Sequence, residues 1–185
     1  MVITKIEAQK KKGRYNIYLN DAFAFGVDEA TVVKYALFKG TELTKVQIKE
    51  IQQDDCIQQA YQKALHFLNF KLRSTKEVYE KLEKLEFDDD IINEVLGKLH
   101  EQNFINDTFY AESYLNQAKF VTFKGPKSVI FDLQKKGISD KVIQTVLEGY
   151  SLKEQLENEI WQEEQRFENP HKHYVDMSVE YYEMK

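Results

Sequence analysis

The hydrophobic positions of this chain repeat against themselves at an offset of 51 residues. When residues 74–96 are written above residues 125–147, apolar side chains fall on apolar side chains without a gap. The matched pairs are Val78 and Val129, Leu82 and Leu133, Phe87 and Ile138, Ile91 and Val142, Ile92 and Ile143, Val95 and Val146, and Leu96 and Leu147. Their spacing is helical, so the pattern predicts two copies of a helical unit that bury equivalent faces.

Helix start signals repeat at the same offset. Residues suited to the N-cap stand at each matched start: Ser74, Asp88, Gly125 and Ser139. Glu77 completes a capping-box pattern in the first copy, and Pro126 is the first-turn proline of the second. The matching fails at one helix end, where Gly137 is a natural left-handed stop. Glu86 occupies the equivalent position and must strain or use another turn.

The amino-terminal residues 1–27 have the alternating pattern of strands rather than helices. Side chains that alternate between apolar and polar follow one another through Tyr15, Asn16, Ile17, Tyr18 and Leu19. Asn20-Asp21 is a favourable hairpin turn, and residues 10–13 form a polar turn before it. The pattern predicts a small antiparallel sheet.

Helices follow the sheet. Asp28 is predicted to cap a short helix over residues 29–37 that Lys39-Gly40 stops, and Thr44 opens a long helix to about Lys71. The predicted fold is mainly α, with tandem three-helix repeats in an elongated array and a small antiparallel sheet at the amino terminus. The predicted divisions are a sheet with a short helix (1–43), a long connecting helix (44–71), repeat one (72–121), repeat two (122–166) and a tail without a third repeat (167–185).

Composition places limits on function. The chain carries 26 Lys and Arg against 31 Asp and Glu, a net charge of −5, which argues against a protein that mainly coats DNA. Its single cysteine, Cys56, fits a reducing compartment and is interpreted as a structural thiol. The sequence has neither a signal-peptide core nor an apolar run of membrane-spanning length, so we expect a cytoplasmic protein without membrane contact.

No catalytic motif accompanies the repeats. The sequence contains no phosphate-binding glycine loop, nucleophile elbow or dinucleotide-binding glycine set. His171-x-His173 lacks the further ligands of a metal site, and the adjacent carboxylates Asp54-Asp55 and Glu163-Glu164 are most simply solvated. We therefore expect no enzymatic activity, cofactor, metal or small-molecule substrate.

Several strings in order resemble the RecX family, regulators of the RecA recombinase. They are Leu72–Leu82 (LRSTKEVYEKL), Phe104–Asp107 (FIND), Lys124–Lys127 (KGPK) and Leu133–Ser139 (LQKKGIS). The opening strings Ile3–Ile6, Arg14–Leu19 and Phe23–Val27 look like the amino-terminal extension of members from low-GC Gram-positive bacteria. The resemblance covers residues 1 to about 161.

The resemblance implies a partner, the RecA filament on single-stranded DNA. A member of this family would bind in the filament groove, limit filament growth or promote disassembly, and lower ATP hydrolysis and strand exchange, without catalytic residues of its own. Two departures change the expectation. The family usually has three repeats where two are found, and residues 120–124 are mostly apolar where the family is often basic. Contact with the protein filament is therefore favoured over direct DNA contact, which we expect to be weak.

Candidate partner-binding residues are cations at the repeat junctions and on the first helix of repeat two: Arg73, Lys76, Lys119, Lys124, Lys127, Lys135 and Lys136. They are suited to phosphates or to an acidic protein face. The alternative interpretation is a solvated helix face with local ion pairs. The competing functions are a nonenzymatic helical-repeat protein that binds DNA directly, and an enzyme whose site has no recognisable motif.

Overall fold

A computed structural model describes residues 1–122, 124–148 and 160. It confirms a mainly helical fold with an amino-terminal sheet. The strands are β1 (Ile3–Ala8), β2 (Arg14–Leu19) and β3 (Ala22–Asp28), and the helices are α1 (Glu29–Lys34), α2 (Lys45–Leu68), α3 (Thr75–Glu83), α4 (Asp89–Glu101), α5 (Asp107–Gln117), α6 (Pro126–Lys135) and α7 (Asp140–Glu148). A π-helical turn, Ala118–Thr122, follows α5. Beyond Glu148 only Ile160 is described, so most of the third helix of predicted repeat two, the pair Glu163-Glu164 and the predicted tail lie outside the described residues.

Two compact units make up the chain. One contains residues 1–71 and 78–104, and the other contains residues 72–77 and the described residues from 105 onward. We call them the amino-terminal and the carboxy-terminal unit. This division follows compactness rather than sequence repetition, so the repeat boundaries at residues 72, 122 and 166 stay a prediction.

The sheet is antiparallel in the order β1-β2-β3. Asn20 and Asp21 both have positive φ, 47° and 67°, as the predicted hairpin turn requires. The loop after α1 also pairs with β1. The Ile3 N–H donates to the Thr41 carbonyl at 2.9 Å, and the Gly40 N–H donates to the Ile3 carbonyl at 2.8 Å. This loop thus covers the beginning of one sheet edge.

The two helices after the sheet have clear start signals. The Asp28 carboxylate accepts from the Thr31 N–H at 2.7 Å, and Thr44 forms a full capping box with Gln47. The predicted end of α1 is wrong. The helix stops at Lys34, before Gly40, because Ala36 already takes a left-handed conformation with φ 46°.

One sequence interpretation in the amino-terminal unit needs correction. Asp55 is 3% exposed and is therefore not solvated. Its carboxylate accepts from the Arg14 guanidinium at 3.1 and 3.2 Å, from the Asp28 N–H at 2.7 Å and from Gln59 at 2.7 Å. The neighbouring Asp54 turns to Lys34 and to the Tyr35 hydroxyl. Adjacent helical carboxylates point in different directions, and here one of them points into the core.

All matched apolar positions of the repeat except Phe87, Val142 and Leu147 are buried, and those three are half-buried. Val78, Leu82, Val129 and Leu133 are all 0% exposed. Seven positions of the repeat are buried farther along: Ile91, Ile92, Val95, Leu96, Ile138, Ile143 and Val146. Val142 and Leu147 pack half-buried against the same carboxy-terminal core. The sequence offset therefore marks equivalent core positions in the two copies.

The turns after the first helix of each copy are alike. Glu86 has φ 62° and Gly137 has φ 78°. In both turns the next residue donates back to the carbonyl of the buried leucine, Phe87 to Leu82 at 3.4 Å and Ile138 to Leu133 at 3.0 Å. Glu86 thus adopts the left-handed stop itself rather than another turn.

Candidate partner-binding surface

The predicted cations begin at the first turn of α3, which belongs to the carboxy-terminal unit. Ser74 and Glu77 form the predicted capping box: the Ser74 N–H donates to Glu77 Oε2 at 3.1 Å, and the Glu77 N–H donates to Ser74 Oγ at 3.3 Å. The buried Ser74 hydroxyl also donates to the Lys136 carbonyl at 2.7 Å. The start of α3 therefore holds the end of α6.

Glu77 is the acid of this junction. Lys136 Nζ lies 2.8 Å from Glu77 Oε1, and Arg73 Nη1 lies 3.7 Å from the same oxygen. Burial raises the pKa of Glu77, but the hydrogen bonds from Lys136 and Ser74 and the charges of Lys136 and Arg73 outweigh it, so the pKa is below its usual value. Lys136 and Arg73 are engaged inside the unit, which separates them from cations that reach outward.

Lys76 packs against the turn after α6. Its Nζ donates to the Lys135 carbonyl at 3.3 Å. A Cβ built on Gly137 would lie 2.7 Å from Cβ and from Cδ of Lys76. Lys76 and Gly137 are therefore in close contact, and the Lys76 stem covers the turn.

Lys124 belongs to a second internal cluster. Its Nζ donates to Asp132 Oδ2 at 2.7 Å and to the Tyr114 hydroxyl at 3.1 Å, while that hydroxyl donates to the same carboxylate at 2.6 Å. The hydrogen bonds to Asp132 and Tyr114 raise the pKa of Lys124, and the bonds from Lys124 and Tyr114 lower that of Asp132. Lys124 is therefore paired within the unit, with its side chain 40% exposed.

Lys119 is also not an exposed cation. It lies in the π-helical turn after α5 and is 9% exposed. The helix α5 ends at Gln117, two residues before Lys119. Sequence periodicity alone does not indicate such a turn.

Two of the seven predicted cations, Lys127 and Lys135, are exposed on α6. They stand eight residues apart, with Phe131 midway at the i+4 position, so the three lie on one face of the helix. Phe131 is 66% exposed. We call Lys127, Phe131 and Lys135 the α6 stripe; it joins two cations to an exposed aromatic ring.

The amino terminus of α6 lies at one end of the stripe. Gly125 is the N-cap, no side chain caps the helix, and Pro126 occupies the first turn. The backbone N–H groups of such a turn favour negative charge. Lys127 therefore stands where the helix itself adds positive potential.

Sequence reasoning missed three residues that organise this surface: Tyr114 and Asp132, which engage Lys124, and Phe131, which completes the stripe. Phe131 could have been found from its i+4 spacing to both lysines. The Asp132 contact depends on the path of the chain between α5 and α6, for which the sequence has no local signal. Among the described residues, no group of three or more His, Cys, Asp or Glu side chains is placed to hold a metal ion.

The fold defines the class of protein: a mainly helical chain built from repeated helical units, with a three-stranded antiparallel sheet at its amino terminus. Within the described residues, no helix is long and apolar enough to cross a membrane. Family models refine this class. The regulatory protein RecX N-terminal domain matches residues 1–44, and the first three-helix domain of RecX matches residues 60–99.

The chain is similar to curated RecX proteins over most of its length. It is 43% identical over 84% of its length to regulatory protein RecX of Leuconostoc mesenteroides. It is 40% identical over 85% of its length to that of Listeria monocytogenes, and 40% identical over 84% to that of Bacillus velezensis. The alignments span 58–59% of these relatives' own lengths.

Solved structures of RecX proteins are also similar to this chain. A crystal structure of regulatory protein RecX has a TM-score of 0.71 at 36% identity and covers 85% of this chain and 77% of its own. RecX from Lactobacillus salivarius has a TM-score of 0.59 at 37% identity and covers 64% of this chain and 77% of its own. The chain belongs to the RecX family, a family of nonenzymatic regulatory proteins.

One further family model names a domain of an enzyme. The nicotinate phosphoribosyltransferase C-terminal domain matches residues 106–185, less than half of the chain. The RecX relatives cover 84–85% of the chain and extend into the same range. A solved RecX structure also matches the fold of this chain. The chain is therefore assigned to the RecX family and not to the phosphoribosyltransferases.

Proposed function

We propose that this protein regulates the RecA recombinase. In this proposal it binds the RecA filament on single-stranded DNA in the cytoplasm and limits filament growth, ATP hydrolysis and strand exchange. The observation that carries the proposal is 36% identity, over 85% of the chain, to a solved RecX structure of the same fold. The family supplies the activity, and this chain's own surface suggests where the filament is contacted.

The α6 stripe is the proposed contact. Lys127 and Lys135 make no ion pair with the described residues, so their charges are available to an acidic or phosphate-bearing face. Phe131 between them resembles the exposed aromatic anchors that dominate protein interfaces. Charge pairs at the edge of an interface steer association, and the ring supplies apolar area.

A protein filament is favoured over bare DNA as the primary partner. The chain has a net charge of −5, which opposes nonspecific attraction to phosphates. Of the seven predicted cations, Arg73, Lys124 and Lys136 pair with acids within the unit. The positive charge available on this surface is therefore small, and a polyanion alone is a poor match for it.

The experiment is a titration of RecA ATPase on single-stranded DNA. The wild-type chain should inhibit in proportion to its occupancy of the filament and saturate at a fixed ratio to RecA. A Lys127→Glu, Lys135→Glu variant should need about ten times more protein for half-inhibition, a loss of about 1.4 kcal/mol. Lys124 is left unchanged because its replacement would break the internal pair with Asp132.

The matched control changes the same charge on α2. Lys45→Glu, Lys49→Glu alters two exposed lysines of the amino-terminal unit and should inhibit like the wild type. Equal inhibition by both variants, with intact circular dichroism, would exclude the α6 stripe from the interface. Inhibition that persists after the chain is removed would indicate enzymatic inactivation, and tight binding to DNA without RecA would favour the direct DNA-binding alternative.

A further inference from the structure

A cationic pocket lies in the amino-terminal unit, and its lining includes none of the residues assigned to partner binding. It is a cavity of about 420 Å³ between the β1–β2 turn and one face of α2. The turn supplies Lys11, Lys12 and Gly13, and the helix supplies Lys63 and His66 among others. A cavity of this size is within the range of small-molecule sites.

The fold brings these lysines together from two distant parts of the chain. Gly13 has a φ of 77°, and this left-handed residue reverses the chain directly after Lys11 and Lys12. Lys63 stands one turn from both Gln59 and His66, so the helix presents a single face to the cavity. The sequence alone predicts only a polar turn at residues 10–13.

The wall of the pocket is fixed by the buried Asp55 network. Arg14 lines the cavity, but its guanidinium is held by Asp55 at 3.1 and 3.2 Å and donates to the Gly26 carbonyl at 3.1 Å. Gln59 is likewise bonded to Asp55 at 2.7 Å. These bonds anchor strand and helix to each other, and they leave the charge of the lysines uncompensated by Asp55.

The described residues that line the pocket include three lysines and one acid. Lys11, Lys12 and Lys63 make no ion pair with any residue the structure describes. The lining acid, Asp28, is occupied as the N-cap acceptor of the Thr31 N–H at 2.7 Å. The described lining therefore has an excess of positive charge, which attracts anions.

We propose that this pocket binds phosphate groups. Lysine ammonium groups bind phosphate as point charges, and several in one cavity favour a ligand with more than one phosphate. The ring of His66 packs edge-on against Phe70, with centroids 5.1 Å apart, and no Phe, Tyr or Trp is among the described residues that line the cavity. A stacked base is therefore not part of the recognition. The phosphates come from a free oligophosphate or from a single-stranded nucleic-acid backbone.

Isothermal titration of the full chain separates the two sources. One probe is inorganic tripolyphosphate, and the other is an oligothymidylate of about ten nucleotides, each at about 50 and 200 mM salt. Binding of tripolyphosphate alone identifies a free oligophosphate, and binding of the oligothymidylate identifies a backbone. If neither binds at low salt, the proposal is wrong.

The variant Lys11→Gln, Lys12→Gln, Lys63→Gln should bind the positive probe about tenfold or more weakly. Its control, Lys39→Gln, Lys45→Gln, Lys49→Gln, removes the same charge from exposed positions of the same unit and should change affinity less than about twofold. Equal losses in both variants would reduce the effect to net charge and overturn the site.

Amine footprinting of the wild-type chain gives an independent measurement that no folding defect can obscure. The bound probe should protect Lys11, Lys12 and Lys63 from acetylation and leave Lys39, Lys45 and Lys49 reactive. Uniform protection would contradict the proposal. These outcomes do not depend on RecA, so the pocket and the proposed regulation of RecA stand or fall separately.

Discussion

The same turn is built twice in this molecule with different residues. After α3 it contains Glu86, which is exposed, and after α6 it contains Gly137. The backbone is left-handed in both, with φ 62° and 78°. The surroundings differ, because the turn after α6 lies against the stem of Lys76, where an added Cβ would lie 2.7 Å from two side-chain carbons.

Two different causes can require a glycine in such a turn: the left-handed backbone and a close packing contact. A left-handed residue costs about 1–2 kcal/mol when it has a Cβ, and the turn at Glu86 bears that cost in open solvent. At Gly137 the cost of a close contact is added, and it involves Cβ of Lys76, which cannot move without its backbone. The glycine is therefore required mainly by packing, and the left-handed conformation alone does not demand it.

The largest expected loss of stability is at the two buried leucines whose carbonyls accept the hydrogen bonds that close the turns. Leu82→Ala and Leu133→Ala each remove a side chain that is 0% exposed, and each should lower the free energy of unfolding by about 2–5 kcal/mol. Urea denaturation followed by circular dichroism measures both. A shift within error for either variant would show that its position is not equivalent to the other.

Gly137→Ala should be the next most damaging change. It combines the left-handed cost with overpacking against Lys76, together about 2–4 kcal/mol. A second variant, Gly137→Ala with Lys76→Gly, removes the Lys76 side chain and tests the explanation, although glycine near a helix start carries its own small cost. If that double variant loses as much stability as the sum of the two single changes, the contact is not the cause.

Glu77→Gln should cost about 1–3 kcal/mol at neutral pH, because it removes a charged acceptor from Lys136. The folded pKa of Glu77 lies below the ordinary value of 4.5. Its stabilisation is therefore complete above about 4.5 and is lost as the pH falls through the folded value. The gap between wild type and variant should narrow below pH 4.5 in acid titrations of unfolding.

Glu83→Gln is the control for that measurement, since Glu83 is an exposed acid on the same helix. Its stability should stay within about 0.5 kcal/mol of the wild type at every pH. A gap at Glu77 that is independent of pH would mean that the effect is steric rather than electrostatic.

The smallest effect, of opposite sign, is expected at the other turn. Glu86→Gly relieves the left-handed strain without altering a contact and should stabilise the chain by about 0.5–1 kcal/mol. The melting temperatures of the variant and the wild type in the same buffers measure this difference. A lower melting temperature for the variant would mean that the exposed Glu86 side chain stabilises the folded state by more than its backbone strain costs.

Local signals made the helices predictable. The capping box of Ser74 and Glu77 and the proline start of α6 are each contained in a few adjacent residues, and the structure places both as predicted. The left-handed stop at Gly137 belongs to the same class. Such features depend on backbone groups close in sequence, so periodicity and capping rules are sufficient to find them.

Local signals could not predict which of the cations form ion pairs inside the protein. Lys135 and Lys136 are neighbours, yet only the second lies 2.8 Å from Glu77, an acid far away in sequence. Asp55 likewise turns inward because Arg14 of a distant strand meets it there. Long-range pairing decides which member of a charged set is buried, and one sequence carries no direct record of it.

The loop that pairs with β1 has a consequence for how the protein behaves in concentrated solution. An open sheet edge is a template for another chain's strand. Here Gly40 and Thr41 occupy the hydrogen-bonding groups of Ile3, while Lys5 and Glu7, paired at 3.1 Å, place exposed charges farther along the same strand. A strand from another molecule would have to displace the loop and bury both charges before it could pair with β1. The loop and the charges therefore disfavour edge-to-edge assembly of this sheet.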